Sequence, residues 1–348
     1  MSLLSATSAP GLVRRLQPFA QLGVRRLRQQ KTPFQMTFSL TNRCNFRCEY
    51  CHIPLQKRDE MTTEEWKQAM DAFWRGGMGR ASLIGGEPLL RPDAGELIRH
   101  LKSRGIHTAM NTNGWWVKDR IDDVKQLDLV CLTLDGPEDV HDKQRHKGSY
   151  KKVIEALEVL KQHKIPTVTM TVLTPKGAEN QEHVLSVAEQ FGTRAFFQLE
   201  HDASTDVYAP IAPTLSNQAI AALSDRLMAA KQAGRPVGNS RTILQMQARD
   251  GRRIGGDCSG CYAGHYYGYV FSDGTVAPCL LTQQQVEVGN GRKYGFVEAF
   301  ERMAQPKGPG CGCVPIHEVN NILAFDLRVL FDALDMTVGA AVRRFATT

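Results

Sequence analysis

The sequence has no stretch near the ~18 to 20 consecutive apolar residues that a membrane span requires, which excludes a bilayer-crossing helix. Its first 25 residues lack the compact apolar core and small-residue cleavage site of a secretory signal. Acid is missing from residues 1 to 48, where Arg14, Arg15, Arg25, Arg26, Arg28, Lys31, Arg43 and Arg47 are all basic. The net charge of +7 therefore belongs to an N-terminal arm, and the rest of the chain is nearly neutral. That distribution excludes a basic nucleic-acid-binding surface across the protein. There is no internal repeat and no low-complexity tract. What remains is an ordinary globular composition, 348 residues with 42% hydrophobic and 23% charged, long enough for one large domain and a smaller one.

Cysteine is present but badly distributed for disulfides. The nine cysteines are odd in number and fall in tight clusters, CxxxCxxC, CxxC and CxC. Secreted disulfide frameworks are usually even and belong to short chains. The clusters read instead as metal ligation in a reducing cytosol, so a cytoplasmic protein is expected. Cys44, Cys48 and Cys51 lie within eight positions of "TNRCNFRCEYC", and no further cysteine follows until Cys131.

Six runs rich in β-branched and apolar residues recur at 35–41, 81–87, 107–113, 129–136, 167–173 and 196–200. Amphipathic helical patterns lie between them, such as "TTEEWKQAMDAFWRGG", which opens with a capping-box pair, Thr62 and Glu65. Alternating strands and helices predict repeated βα units on a parallel sheet. In such sheets the chemistry gathers at the carboxyl ends of the strands. Those ends carry "TNRCNFRCEYC", "GGEP", "NTNG", "LDGPEDVHD" and "LEHD". After residue 240 the pattern changes, and "SDG" between two β-like runs predicts a hairpin in a second, smaller domain beginning near 246.

Structural zinc sites usually close with four ligands, in CxxC pairs a dozen or more residues apart. Three thiolates on one loop suit three corners of an iron–sulfur cube instead, leaving the fourth iron open to another ligand. In this setting "CNFRCEYC" resembles the signature of the radical S-adenosylmethionine (SAM) superfamily. "GGEP", "NTNG", "LTLDG" and "HDKQRHKGSYKKVIEAL" follow in the family's order. The resemblance covers residues 35 to 200 as a core and 255 to 315 more loosely.

The resemblance implies a partial (β/α)6 TIM-like barrel at 35–245, preceded by the arm at 1–34. An auxiliary-cluster domain of β-hairpin and helix follows at 246–318, and a C-terminal amphipathic helix at 319–348. It implies a [4Fe-4S] cluster on Cys44, Cys48 and Cys51, with SAM chelating the open iron. An electron from the reduced cluster would cleave SAM to a 5'-deoxyadenosyl radical, which abstracts hydrogen from the substrate. Tyr50 would flank SAM, Gly85, Gly86 and Glu87 would hold its ammonium, Asn113 and Asp135 its ribose, and Arg145 its carboxylate. A flavodoxin- or ferredoxin-type donor would supply the electron. No catalytic side chain beyond these is assigned.

The remaining clusters resemble the SPASM and twitch auxiliary-cluster domains, in which Cys261, a hairpin glycine at 274 and Cys279 match C-x(9-15)-G-x4-C. The resemblance implies one auxiliary [4Fe-4S] cluster on Cys261, Cys279 and at least one of Cys311 and Cys313, with Cys258 or the remaining one as fourth ligand. It would serve as electron acceptor or substrate anchor, and a structural zinc at this group is the competing reading. Cys131 inside the fourth strand reads as a small buried hydrophobe.

The arm at 11–30 and the segment at 320–345 are both amphipathic, so peripheral contact with the inner face of a membrane and a small-molecule or lipid-like substrate are expected. Glu200, His201 and Asp202 are offered as substrate-side groups. Modification of a ribosomally made peptide is the alternative. With some 34 residues before the first strand, leader recognition would then fall to a separate partner. A non-catalytic iron–sulfur electron carrier is a remote third reading, and it leaves GGEP unexplained.

Overall fold

Six strands form where the β-branched runs predict them: β1 (Gln35–Ser39), β2 (Arg80–Ile84), β3 (His107–Thr112), β4 (Leu129–Thr133), β5 (Thr167–Leu173) and β6 (Arg194–Leu199). The computed structural model describes residues 22–48, 50–175, 179–200, 215–254, 257–258, 260–280, 289–307 and 310–323. The six strands pair in parallel and in sequence order. In a strictly sequential parallel sheet, the right-handed crossover rule puts connecting helices on one face and curls the sheet, as in a partial TIM barrel. The connecting helices are α1 (Thr63–Arg75), α2 (Ala94–Ser103), α3 (Ile121–Val124), α4 (Glu138–Gln144), α5 (Ser149–Gln162) and α6 (Gln181–Phe191). Then come α7 (Asn217–Gln232) and α8 (Arg241–Asp250).

Local chemistry fixes the frame. Thr62 caps α1 by accepting from the Glu65 amide, while the Glu65 carboxylate accepts from the Thr62 amide at 2.8 Å. Trp66 and Phe73 on the buried face of α1 pack on Phe38 of β1, with ring centroids 5.9 and 6.1 Å apart. All three are fully buried, each contributing on the order of 2 kcal/mol of transfer free energy. Phe73 also meets Phe296 and Phe300 of α10 (Phe296–Arg302), which follows α9 (Gly291–Tyr294), so the core runs on beyond the barrel.

The sheet continues with it. β7 (Tyr267–Val270) adds parallel to β1, and β8 (Thr275–Ala277) and β9 (Gly289–Asn290) extend it antiparallel. Among the described residues the order is β6-β5-β4-β3-β2-β1-β7-β8-β9, an open sheet. The hairpin expected in a separate small domain is thus hydrogen-bonded to the first barrel strand, and the expected boundary at 245/246 falls inside α8. The last described helix is α11 (Val314–Leu323).

The arm corrects an expectation. Of residues 1–34, those from Leu22 onward are described, and they lie on the protein rather than presenting a basic face outward. Arg25 donates to the Gly76 carbonyl at 2.7 Å, Arg26 to the Leu323 carbonyl, and Lys31 to the Glu301 carbonyl at 2.8 Å. Leu22 and Phe34 are buried against Tyr266, Tyr267 and Leu323. Cations spent on backbone carbonyls are not available to anionic lipid, so membrane contact through residues 22–34 is not supported. No helix among the described residues is long and apolar enough to cross a membrane. The segment 324–348 and the arm before Leu22 lie outside the described residues.

Candidate functional site

The first cysteine site grows out of the carboxyl end of β1. The loop leaving it is gripped by its neighbours: Glu60 accepts from the Thr41 hydroxyl at 2.6 Å and the Asn42 amide at 2.9 Å. Ser272 of the β7–β8 turn donates to the Asn42 side chain at 3.0 Å. The end of β2 is laced directly to this loop, because the Gly86 amide donates to the Thr41 carbonyl at 2.7 Å and the Glu87 amide to the Arg43 carbonyl at 2.8 Å. A Cβ on Gly86 would stand 2.2 Å from the Arg43 carbonyl oxygen, and one on Gly85 2.4 Å from that of Thr41. Only glycine permits this approach, and at Gly85 the positive φ of 152° requires it as well.

Cys44, Cys48 and Cys51 are unpaired and partly exposed. Burial pushes the Cys48 thiol up to about 12, opposed by the Arg145 guanidinium and reinforced by charge at Cys51, Asp135 and Cys44. Cys44 is raised by burial too, with Glu87 and Cys51 adding to it while the Phe46 amide opposes. The three sulfurs therefore share one neighbourhood. Without iron they are protonated at neutral pH, and binding a cluster would release those protons.

Four strand ends close around the loop. Glu87 is fully buried and accepts from the Leu89 amide at 3.0 Å, the Thr112 hydroxyl at 2.8 Å and the Asn113 amide at 2.8 Å. Burial lifts its carboxyl to about 7 against the pull of those hydrogen bonds. The Asn113 side chain donates to Asn45 of the cysteine loop at 2.9 Å and points the same amide at the Cys44 sulfur, 3.9 Å away. Asp135, also fully buried, accepts from Tyr50 at 3.0 Å, from Arg145 Nε at 2.5 Å and from the Val172 amide at 3.0 Å. Burial favours its neutral form, but Arg145 and these hydrogen bonds hold it below the usual carboxylate range. Arg145 also bonds to the Tyr50 hydroxyl and lies 4.0 Å from the Cys48 sulfur.

All seven residues expected to bind SAM thus meet the cysteine loop. Tyr50, Asp135 and Arg145 form a closed triad, and Glu87 accepts from Leu89, Thr112 and Asn113. Beside them opens a cavity of about 160 Å³, walled by Tyr50, Cys51, Ile53, Val172, Glu200 and Leu280 among others. Glu200 reaches it from the end of β6, with Oε1 held by Arg252 at 2.5 Å and by the Leu215 amide at 3.0 Å. His201 and Asp202 lie outside the described residues.

The second cysteine site assembles from three segments. Cys261, Cys279, Cys311 and Cys313 pack in one apolar cluster with Phe34, Ala263, Tyr266 and Tyr267. Burial pushes Cys313 up to about 12, with Cys279 and Cys261 adding to it. Cys311 is raised by burial and by Cys313, Cys279 and Cys261. Cys258 belongs to none of this apolar cluster, though charge at Cys261 adds to the burial that raises it. Two residues missed by sequence reasoning sit inside the group. The Tyr267 hydroxyl is 3.3 Å from the Cys261 sulfur, and His317 Nε2 is 3.6 Å from the Cys311 sulfur and 2.9 Å from the Cys311 carbonyl. Cys131 in β4 is buried, which alone pushes its thiol up to about 12, and it belongs to neither group.

The donor sets fit iron–sulfur clusters. The first offers three cysteine sulfurs on one loop, and the second four in one apolar cluster with His317 beside Cys311.

Residues 38–190 match the Radical SAM superfamily model. GTP 3',8-cyclase of Aquifex aeolicus is 38% identical over 107 residues, 28% of this chain and 33% of that protein. PqqA peptide cyclase of Ruegeria pomeroyi is 31% identical over 170 residues, 47% of this chain and 46% of that protein. The chain spans less than half the length of either. Among solved structures, SuiB of Streptococcus suis bound to precursor peptide SuiA superposes with a TM-score of 0.66 at 14% identity, covering 82% of this chain and 69% of that one. At that identity the likeness is one of fold.

Proposed function

We propose that this chain, a member of the radical SAM superfamily, holds a [4Fe-4S] cluster on Cys44, Cys48 and Cys51, binds SAM beside it, and acts on a C–H bond of a peptide substrate. A second [4Fe-4S] cluster is assigned to Cys261, Cys279, Cys311 and Cys313. The observation that carries the reading is the convergence of three free thiols from one loop with four strand-end motifs. A cluster held there with SAM, given one electron by an external donor, would break the sulfur–C5' bond to release methionine and supply a 5'-deoxyadenosyl radical able to take hydrogen from an unactivated C–H bond.

The protein's own residues bind and orient. Glu87 has two oxygens and about four acceptor sites, of which three are taken, so one remains for the SAM ammonium. An arriving cation would hold this raised carboxyl in its ionised form. Asp135 and Arg145 act through Tyr50 and Cys48: their buried pair fixes the loop that carries the thiols. The largely apolar walls of the cavity, Ile53, Val172 and Leu280, exclude water from the place where hydrogen would be abstracted. Four thiolates at the second site leave no iron open, which suits an electron acceptor rather than a substrate anchor.

Likeness to a peptide cyclase and to a structure solved with a precursor peptide favours a peptide over the small-molecule or lipid substrate expected from the amphipathic ends. The small-molecule reading keeps one support, the likeness to GTP 3',8-cyclase. The test is anaerobic reconstitution, followed by reductive SAM cleavage with dithionite. Peptides encoded beside the gene, deuterated at side-chain carbons, would then be supplied. Deuterium entering 5'-deoxyadenosine supports the peptide reading; cleavage with no transfer from any such peptide sinks it, and no cleavage at all sinks the enzyme reading.

A further inference from the structure

We propose that Tyr267 is a positioning residue of the second cysteine site, whose hydroxyl donates a hydrogen bond to the Cys261 sulfur and thereby raises the reduction potential of the cluster held there. The proposal rests on the two-cluster reading above. Tyr267 is buried, and its hydroxyl lies 3.3 Å from the Cys261 sulfur within an apolar cluster of Phe34, Ala263 and Tyr266. Between a thiol and a phenol either group could donate. An iron-bound thiolate has no proton to give, so the phenol must be the donor. A hydrogen bond to a ligating sulfur draws electron density from it and favours the more negative, reduced state.

The backbone makes the contact exact enough to matter. β7 is fixed on one side by β1, with Tyr267 opposite Gln35, and on the other by β8, with Tyr269 opposite Ala277. Tyr267 itself also bridges Ala263, two residues past Cys261, where the Gly264 amide donates to the Tyr267 carbonyl at 2.8 Å, so the backbone on both sides fixes the phenol beside the Cys261 segment.

The same strand supplies a control. Tyr269 is buried and, two residues on, shares Tyr267's face of the strand. Its ring packs on Phe271 at 4.6 Å, and its hydroxyl lies near Ser39 and Arg58 and within electrostatic reach of Cys51 and Cys279, with no hydrogen bond to either sulfur. Removing either hydroxyl deletes one buried phenolic O–H from β7, but only Tyr267 touches a ligand sulfur.

The experiment compares wild type, Tyr267→Phe, Tyr269→Phe and protein carrying a fluorinated tyrosine at position 267. Iron per chain, electron paramagnetic resonance of the reduced protein, and midpoint potentials by spectroscopic titration are the readouts. Tyr267→Phe is expected to keep its iron and lower the second cluster's potential without moving the first. The fluorinated phenol, a stronger donor, raises it, and Tyr269→Phe, which removes no bond to sulfur, shifts the second cluster's potential less than Tyr267→Phe does. An unmoved potential in Tyr267→Phe, or an equal shift in Tyr269→Phe, overturns the proposal. Should Tyr267→Phe lose the second cluster, the fluorinated protein decides, and an unmoved potential there is equally fatal. About four irons in the wild type instead of about eight sinks the two-cluster reading and takes the proposal with it. About eight with unmoved potentials sinks Tyr267 alone.

Discussion

The first cysteine site takes its thiols from one short loop and surrounds them with buried charge, whereas the second gathers them from residues 261, 279 and 311–313 and surrounds them with aromatic rings. Glu87, Asp135 and Arg145 around the first cost desolvation energy, and each is compensated by several hydrogen bonds. At the second, the groups within hydrogen-bond range of Cys261 and Cys311 are a phenol and an imidazole rather than buried ions. A site with charged, preorganised groups and a neighbouring cavity suits a zwitterionic ligand that comes and goes. A closed thiolate site in an apolar pocket suits a resident group that exchanges only electrons.

The sharpest way to break this comparison is to empty the sites separately. Replacing Cys44, Cys48 and Cys51 together by Ala should remove about four of about eight irons and abolish SAM cleavage. Replacing Cys313 by Ala should cost the second cluster its fourth thiolate and lower its iron while SAM still binds, whereas Cys258→Ala should leave the iron count unchanged. Equal iron loss from Cys258→Ala and Cys313→Ala, counted chemically after reconstitution, would move the fourth ligand to the open question it was in sequence.

Charge at the first site predicts a pH dependence that the second should lack. The Glu87 carboxyl sits near 7 because burial penalises its ionised form. SAM binding should therefore strengthen as pH rises through 7, and Glu87→Gln should weaken binding several-fold and flatten the profile. For the ligand-free fold the sign reverses. The folded state retains a proton that the unfolded state gives up near 4.5, so Glu87 lowers stability progressively as pH rises from about 4.5 to about 7. Denaturant midpoints of wild type and Glu87→Gln across that window check the sign; parallel curves would remove Glu87 as the titrating group.

How much of this was legible in sequence follows the same division. The barrel strands, the Thr62–Glu65 cap and the loop of Cys44, Cys48 and Cys51 are local features, set by periodicity and short spacing, and they stand where they were expected. The joining of β7 to β1 is a pairing between residues more than two hundred positions apart, on which local periodicity is silent. For the same reason Tyr267 and His317 read as ordinary core and helix residues until the fold brings them to the thiols. Asp135 and Arg145 were read as SAM contacts from the resemblance, while their pairing with each other and with Tyr50, brought from another strand end, is a long-range contact that no local motif displays. The arm at 11–30 was read as membrane-binding because a helical wheel cannot show the carbonyls that distant segments bring to Arg25 and Arg26.

The smallest effects should come from the matched glycines, and they test how tightly each site depends on backbone contact. At Gly86 an added methyl would meet the Arg43 carbonyl at 2.2 Å, and neither backbone can yield without moving the cysteine loop. Gly86→Ala should cost about 1 to 3 kcal/mol, the usual range for overpacking, and slow cluster assembly at the first site. Gly274 in the β7–β8 turn has a φ of 83°, and its nearest would-be contact is the Arg292 side chain at 3.0 Å, which can move aside. Gly274→Ala should cost about 1 to 2 kcal/mol for the left-handed conformation alone and leave iron at both sites intact. Chemical denaturation gives the energies and the iron assay the consequence. If Gly274→Ala depletes the second cluster as Gly86→Ala does the first, then the hairpin turn, and not the apolar packing around Tyr267, holds the second site together.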